Sequence, residues 1–368
     1  MKKKIGIIDT DLIDKGTRHP NLALMKISAY QKEQKNSVKL LNNYDEINEF
    51  DKVFISKVFS FTRSPKGIET LKNVKIGGTG FFIDGGENLP NEIEHHKPDY
   101  NLYDEYINNK INNGKERKFY KDYLDYSIGF TTRGCFRKCD FCVNKKYDFV
   151  FKHSPVSEFL EPSRKGIYLW DDNFFGFKNW QKVLDEIENT GKPFQFRQGL
   201  DIRLLNKTKA KRFSKVKYIG DFIFAFDYIK DRELIIKKLD LWRKFTSKTT
   251  KLYVLCAYES QDKLDIANTF ERIKILMKFG CLPYIMRYET YKISKFKGIY
   301  TQIARWCNQP QFFKKMSFRQ FCEANQSYHK NPDTLCSAYK VMLNFEKEYP
   351  IIANKYFDLR FENENYYM

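Results

Sequence analysis

No run of about 18 consecutive apolar residues occurs in the sequence, so it offers no segment long enough to cross a bilayer as a helix. The opening Lys2-Lys3-Lys4 resembles the charged start of an export signal, but the apolar stretch behind it stops at Asp9, too soon for one. Together these features predict a cytoplasmic protein with no membrane partner. Low-complexity tracts are also missing, and with 42% apolar and 17% aromatic residues the composition excludes disorder across the whole chain. Cysteine is absent before position 135, and all eight cysteines follow it. In a reducing compartment these do not form a disulfide framework, which leaves some of them as ligands. Acidic residues are outnumbered, 46 against 65 basic ones, for a formal net charge of +19. That balance favours a polyanionic partner such as nucleic acid, although Lys, Asn and Ile enrichment also follows from an AT-rich genome.

What the sequence does contain is an alternation of strand-like and helix-like segments. Residues 4–9 form a short apolar run ending in a polar residue, as a buried parallel strand does. Residues 21–30 carry apolar positions at helical spacing behind Pro20. Further strands are expected at 37–41, 52–55 and 74–76, which makes residues 1–96 a small doubly wound α/β domain. Residues 97–124 are rich in Asn and Lys with no sustained apolar period, and read as a partly helical connector. Strand-like runs then recur at 126–131, 166–170, 193–197, 218–226, 251–257 and 281–286. Between them Ile235, Leu239 and Trp242, and Ile266, Phe270, Ile273 and Met277, fall on helical stripes. Six βα units in series predict an α/β fold, a partial (βα)6 TIM-like barrel over 125–299, with an aromatic helical cap over 300–368.

The strongest chemical signal is Gly134-Cys135-Phe136-Arg137-Lys138-Cys139-Asp140-Phe141-Cys142, a C-x3-C-x2-C triplet leaving the first barrel strand. Three thiolates so closely spaced can each take one iron of a cubane cluster and leave the fourth iron open. The competing readings are a zinc site short of one ligand, or three unrelated cysteines; zinc sites usually pair two such motifs.

This triplet, with an aromatic residue directly before its last cysteine and six βα units around it, resembles the radical S-adenosylmethionine (SAM) enzymes. The resemblance implies a [4Fe–4S] cluster on Cys135, Cys139 and Cys142, SAM on its open iron, and an external electron donor. It also implies that SAM is held by residues at the carboxyl ends of later strands. The candidates are Asp171, Asp172 and Asn173 after the second strand; Gln195, Arg197, Gln198, Asp201 and Arg203 around the third; Asp227 after the fourth; and Phe141 against the adenine. Each polar candidate has an ordinary alternative as a helix cap or surface ion pair. The first 96 residues resemble the cobalamin-binding-type module that precedes the barrel in one branch of these enzymes, through residues 19–25 and Gly77-Gly78-Thr79-Gly80. The D-x-H-x-x-G motif that supplies a histidine to cobalt is absent; some members of that branch bind cobalamin without it and others keep the domain with no cofactor, so cobalamin stays a possible but disfavoured cofactor.

Other features are weaker. Cys307, Cys322 and Cys336 are candidates for an auxiliary cluster, and Cys256 and Cys281 read as small core residues. His95 and His96 beside Glu92 and Glu94 suggest a solvated loop more than a metal site. Between Ile202 and Lys217 stand seven basic residues and no acid, with Lys207, Lys211 and Lys215 at i, i+4 spacing, a surface that could track phosphates. The expected activity is thus radical SAM modification of nucleic acid, or of a peptide or small metabolite. A non-catalytic metal-binding nucleic-acid protein is the reading from another class. Without a cysteine before Cys135 to hold a second cluster, RNA methylthiolation is disfavoured.

Overall fold

The computed structural model describes residues 2–17, 19–331 and 334–361. The chain forms two compact units that divide between Arg197 and Gln198.

The first unit opens with a four-stranded parallel sheet of order β2-β1-β3-β4, built from β1 (Lys4–Asp9), β2 (Ser37–Leu40), β3 (Lys52–Ser56) and β4 (Val74–Gly77). The central strand β1 buries Ile5, Ile7 and Ile8, which is why its sequence is continuously apolar rather than alternating. Helix α1 (Thr10–Lys15) starts directly at the strand end, where the Asp9 carboxylate accepts the Leu12 N–H at 3.2 Å. Helix α2 (Leu22–Glu33), N-capped by Asn21, lays Leu24, Met25 and Ile27 on the sheet.

The segment expected as a polar connector is largely folded. It holds α4 (Asp104–Asn112) and α5 (Lys121–Leu124), preceded by the short α3 (Asn91–Glu94). Its Tyr100, Leu102, Tyr103, Ile107 and Tyr123 join the same apolar cluster as Ile5, Ile7 and Met25. Three of these are tyrosines that bury the ring while the hydroxyl finds a partner: Tyr103 donates to Asp9 at 2.9 Å, Tyr100 to the Phe159 carbonyl at 2.6 Å and Tyr123 to the Thr17 carbonyl at 3.1 Å. Scattered tyrosines give no apolar period, so the sequence pattern did not reveal this packing.

The same unit continues with β5 (Tyr126–Gly129), a two-stranded antiparallel clasp of β6 (Thr132–Arg133) with β7 (Phe151–Lys152), then β8 (Gly166–Leu169) and β9 (Phe194–Phe196). Strands β5, β8 and β9 form a parallel sheet in that order. Between β8 and β9, α6 (Trp180–Asn189) buries Trp180, Val183, Leu184 and Ile187, the i, i+3, i+4, i+7 face of a helix on a sheet.

The second unit repeats the rhythm. Strands β10 (Phe222–Ala225), β11 (Thr250–Cys256) and β12 (Leu282–Arg287) form a parallel sheet in chain order, with α7 (Lys207–Phe213), α8 (Arg232–Arg243) and α9 (Lys263–Lys278) preceding each strand. The expected stripes are the buried faces: Ile235, Leu239 and Trp242 on α8, and Ile266, Phe270, Ile273 and Met277 on α9. Each of the six strand-like runs of the expected barrel holds a strand, three in each unit, and the strands run parallel within each three-stranded sheet. Five helices end the described chain: α10 (Lys297–Cys307), α11 (Pro310–Phe313), α12 (Phe318–Ser327), α13 (Ser337–Glu348) and α14 (Pro350–Tyr356). They pack through aromatic contacts such as Phe270 with Phe318 and Phe357. No helix among the described residues is long and apolar enough to cross a membrane.

Candidate metal centre

The three cysteines lie on the loop that the β6–β7 clasp closes, residues 134–150. Gly134 opens it at φ 90°, a left-handed conformation, and a Cβ there would stand 2.2 Å from the Phe149 carbonyl oxygen. Asp171 and Asp172, just beyond β8, fasten the near end. The wholly buried Asp171 carboxylate accepts four hydrogen bonds: from the Thr131 N–H (3.1 Å) and hydroxyl (2.6 Å), and from the Thr132 N–H (2.5 Å) and hydroxyl (2.6 Å). Asp172 accepts the Gly134 N–H at 2.7 Å and pairs with Arg133. Both carboxylates, candidates for holding SAM, take donors from the base of the cysteine loop.

Within the loop the sulfurs receive N–H donors. Cys135 Sγ accepts from the Arg137 N–H (3.5 Å) and Asn173 Nδ2 (3.4 Å), and Cys142 Sγ from the Asn144 N–H (3.4 Å). Such donors stabilise thiolates and tune iron–sulfur clusters. The Cys142 N–H donates to the Cys139 carbonyl at 2.9 Å, tightening the C-x2-C turn. All three cysteines are half-buried. Burial pushes the Cys142 thiol above its ordinary value, a tendency that coordination to a metal cation reverses.

Lysines brace the loop. Lys138 pairs with Asp148 at 2.7 Å and bonds the Lys145 carbonyl, while Lys145 Nζ donates to the Asp140 carbonyl at 2.8 Å. Lys146 Nζ reaches Asn88 Oδ1 at 2.9 Å, joining the loop to the segment after β4. Sequence reasoning missed this bracing and the Thr131-Thr132 anchor, because neither residue type carries a motif.

The donor set fits a cubane cluster. Among the described residues no three His, Cys, Asp or Glu side chains gather around a single-ion position. A cubane cluster takes one thiolate for each of three irons, the residue type and number that this loop supplies. Asn173 adds a second indication: it is buried, its Nδ2 is spent on Cys135, and its Oδ1 is an orphaned acceptor. A buried acceptor without a donor is costly unless something absent from the protein itself satisfies it.

The other candidates fall into two groups. In the first unit, Gln195 accepts from Arg197 Nη1 at 2.9 Å, and Arg197 stacks over Tyr168 and pairs with Asp122 at 3.6 Å. Phe141 is half-buried beside Cys142. In the second unit, Gln198 is exposed, and Asp201 caps its own turn while gripping Arg203 at 2.8 Å, the ordinary ion-pair alternative. Burial raises Asp227, at the end of β10, to about 6, with Arg272 and Arg203 opposing the rise. In the basic run the i, i+4 lysines Lys207, Lys211 and Lys215 are exposed, while other members are engaged. Lys209 turns inward to the Leu204 carbonyl at 3.1 Å, Arg203 is paired, and α7 ends before Lys215.

The remaining metal candidates do not assemble. His95 pairs with Glu158 and His96 with Glu33. Cys322 and Cys336 lie close enough to feel each other's charge, whereas Cys307 is near Cys256. Cys336 Sγ accepts the Tyr339 N–H as the N-cap of α13.

No protein-family model matches the chain, and no curated protein does. Among solved structures, the radical S-adenosylmethionine methyltransferase TsrM from Kitasatospora setae, with cobalamin and a [4Fe–4S] cluster bound, is similar at a TM-score of 0.50 and 11% identity, over 78% of this chain and 75% of that one. The same protein with tryptophan substrate and a SAM analogue bound gives 0.49 and 11%, over 77% and 72%. That neighbour's cobalamin lends no support to disfavouring the cofactor on the missing histidine motif. At such identity the likeness concerns architecture alone: an α/β domain followed by parallel βα units.

Proposed function

We propose that this chain is a radical SAM enzyme in which Cys135, Cys139 and Cys142 hold a [4Fe–4S] cluster through three of its irons. The observation that carries the reading is the loop itself: three cysteines at C-x3-C-x2-C sequence spacing, with N–H donors on Cys135 and Cys142, on a base locked by Asp171 and Asp172. Cys135, Cys139 and Cys142 would hold the cluster, and with SAM on its open iron the group would supply one-electron reductive cleavage of the sulfonium for hydrogen abstraction from substrate. The residues of the chain orient and enclose that chemistry. Asn173 fixes Cys135 through Nδ2 and offers its orphaned Oδ1 to the SAM ammonium. Phe141 packs against the adenine. The net charge of +19 favours a polyanionic substrate such as nucleic acid.

The test is 5′-deoxyadenosine formation by anaerobically reconstituted protein given SAM and a strong reductant, beside Cys139→Ala. Product from the wild type alone is expected. Equal traces from both, or a protein that takes zinc and no iron, would contradict the reading. Asn173→Leu should retain iron and bind SAM at least tenfold more weakly.

A second observation favours cobalamin binding at the small sheet. The loops after β3 and β4 present Val58, Phe59, Phe61, Phe82 and Ile83 to solvent, at 45%, 48%, 57%, 39% and 88% exposure. They are locked together by Thr79 Oγ1 donating to the Val58 carbonyl at 2.6 Å, and by Gly80, where a Cβ would stand 2.7 Å from the Phe59 carbonyl oxygen. An exposed apolar platform at the carboxyl edge of a parallel sheet suits a large flat ligand bound without a protein ligand to its metal. Co-elution of hydroxocobalamin with the wild type, lost in Phe59→Asp, is the expected result.

A further inference from the structure

A second concavity lies in the first unit, away from the cysteine loop, and the reading above makes no use of it. Its volume is about 560 Å³, in the range of small-ligand sites. Its walls come from the end of α1 beyond the carboxyl end of β1, from Asn42 beyond the carboxyl end of β2, and from α4 with the turn after it. Ligands of open α/β sheets bind outside the carboxyl ends of strands, so the location suits a site.

The chemistry of the lining is one-sided. Lys15, Lys110 and Lys115 all border the cavity, and the described residues that line it include no Asp or Glu. None of the three lysines forms an ion pair among the described residues. Lys15 Nζ instead sits 4.6 Å over the Phe61 ring and Lys110 Nζ 5.2 Å over the Tyr106 ring. Three ammonium groups around one hollow repel each other, and an anion removes the repulsion. The ends of α1 and α4 oppose an anion by at most about half a charge each, which three full positive charges outweigh. Beside the lysines stand the half-buried rings of Tyr106 and Tyr120 and the amide of Asn109. Rings give a planar base a stacking face, and the amide gives it hydrogen bonds.

We propose that this cavity binds a phosphorylated small molecule of nucleotide size, with its phosphates on Lys15, Lys110 and Lys115 and its base against Tyr106 and Tyr120. A hollow of about 560 Å³, open on one side to solvent, has the size of a discrete ligand, whereas a nucleic-acid strand needs an extended track.

The test is calorimetric titration of the full chain with pyrophosphate, ADP and adenosine at low salt, repeated with Lys110→Gln/Lys115→Gln and with Lys15→Gln. All three side chains are exposed, so the variants are expected to fold, and their circular dichroism should match the wild type. Expected are one site for pyrophosphate and ADP, adenosine at least tenfold weaker than ADP, and at least tenfold loss of both anions in the double variant. Lys207→Gln/Lys211→Gln, on α7, should bind as the wild type does. The proposal is overturned if neither anion binds, if ADP binds no better than adenosine, or if the double variant binds unchanged. It is equally overturned if the α7 variant loses as much affinity, since that result describes a general polyanion surface.

Discussion

Replacing Asp171 is expected to unseat the cysteine loop, and the size of the effect can be worked from the structure. The carboxylate is fully buried and accepts two backbone N–H groups and two hydroxyls from Thr131 and Thr132. In Asp171→Leu the hydroxyls can rotate toward other acceptors, but the two N–H groups cannot. Each buried donor left without an acceptor costs about 1–3 kcal/mol, so the loss should be about 2–6 kcal/mol. Asp171→Asn keeps one oxygen for one of the two N–H groups and turns an amide NH2 toward the other. Its loss should be about 1–3 kcal/mol, and Thr131→Val, which removes a single hydroxyl donor, about 1 kcal/mol. Against a typical stability of about 5–15 kcal/mol these steps are resolvable by urea unfolding followed by tryptophan fluorescence. Iron per chain after anaerobic reconstitution should fall in the same order, wild type, Thr131→Val, Asp171→Asn, Asp171→Leu. A leucine variant within about 0.5 kcal/mol of the wild type with full iron loading would refute the anchoring argument, since that is the scatter of ordinary surface changes.

Three further outcomes are expected. Gly134→Ala places a Cβ 2.2 Å from the Phe149 carbonyl oxygen at φ 90°, so it should lower stability by roughly 2 kcal/mol or more and deplete iron, both measurable as above. Asp9 is raised by burial to about 6 from an ordinary value near 3.8, so the folded state holds its proton more tightly than the unfolded one. Its contribution to stability is therefore largest below the unfolded value and is lost as pH rises from about 4 through 6, by up to roughly 3 kcal/mol. Asp9→Asn should flatten that slope in a series of unfolding curves, and an unchanged slope would refute the assignment. In the second unit, buried Arg272 donates to the carbonyls of Phe226 and Asp227 and lies near Asp265. Arg272→Met should cost about 3–5 kcal/mol in unfolding experiments, because it strands those partners.

The sequence alone made the strands and helices of the three parallel sheets legible, because buried parallel strands read as apolar runs and their helices as stripes. The triplet Cys135, Cys139 and Cys142 was legible for a different reason: cysteine spacing is local, and the loop needs no distant residue to bring them near each other. The tie between Asp171 and Thr131-Thr132 was not, since it joins positions about 40 apart in the chain through groups that carry no pattern. The packing of residues 97–124 was hidden because isolated tyrosines bury themselves by hydrogen-bonding through the hydroxyl, which leaves the segment looking polar. In the basic run after Ile202 the i, i+4 stripe of Lys207, Lys211 and Lys215 is exposed, as its spacing suggested. What the spacing did not reveal is Lys209, which is 8% exposed and bonds a carbonyl, an arrangement in which the aliphatic stem packs and only the amine is satisfied.

Electron paramagnetic resonance of the reconstituted, reduced protein, recorded with and without SAM, tests the central claim most directly. The account predicts a reduced [4Fe–4S] signal in the wild type that changes shape when SAM binds its open iron, no such signal in Cys139→Ala, and a SAM-insensitive signal in Asn173→Leu at the same SAM concentration. A wild-type cluster spectrum that SAM leaves unaltered, or a cluster retained in full by Cys139→Ala, would contradict it.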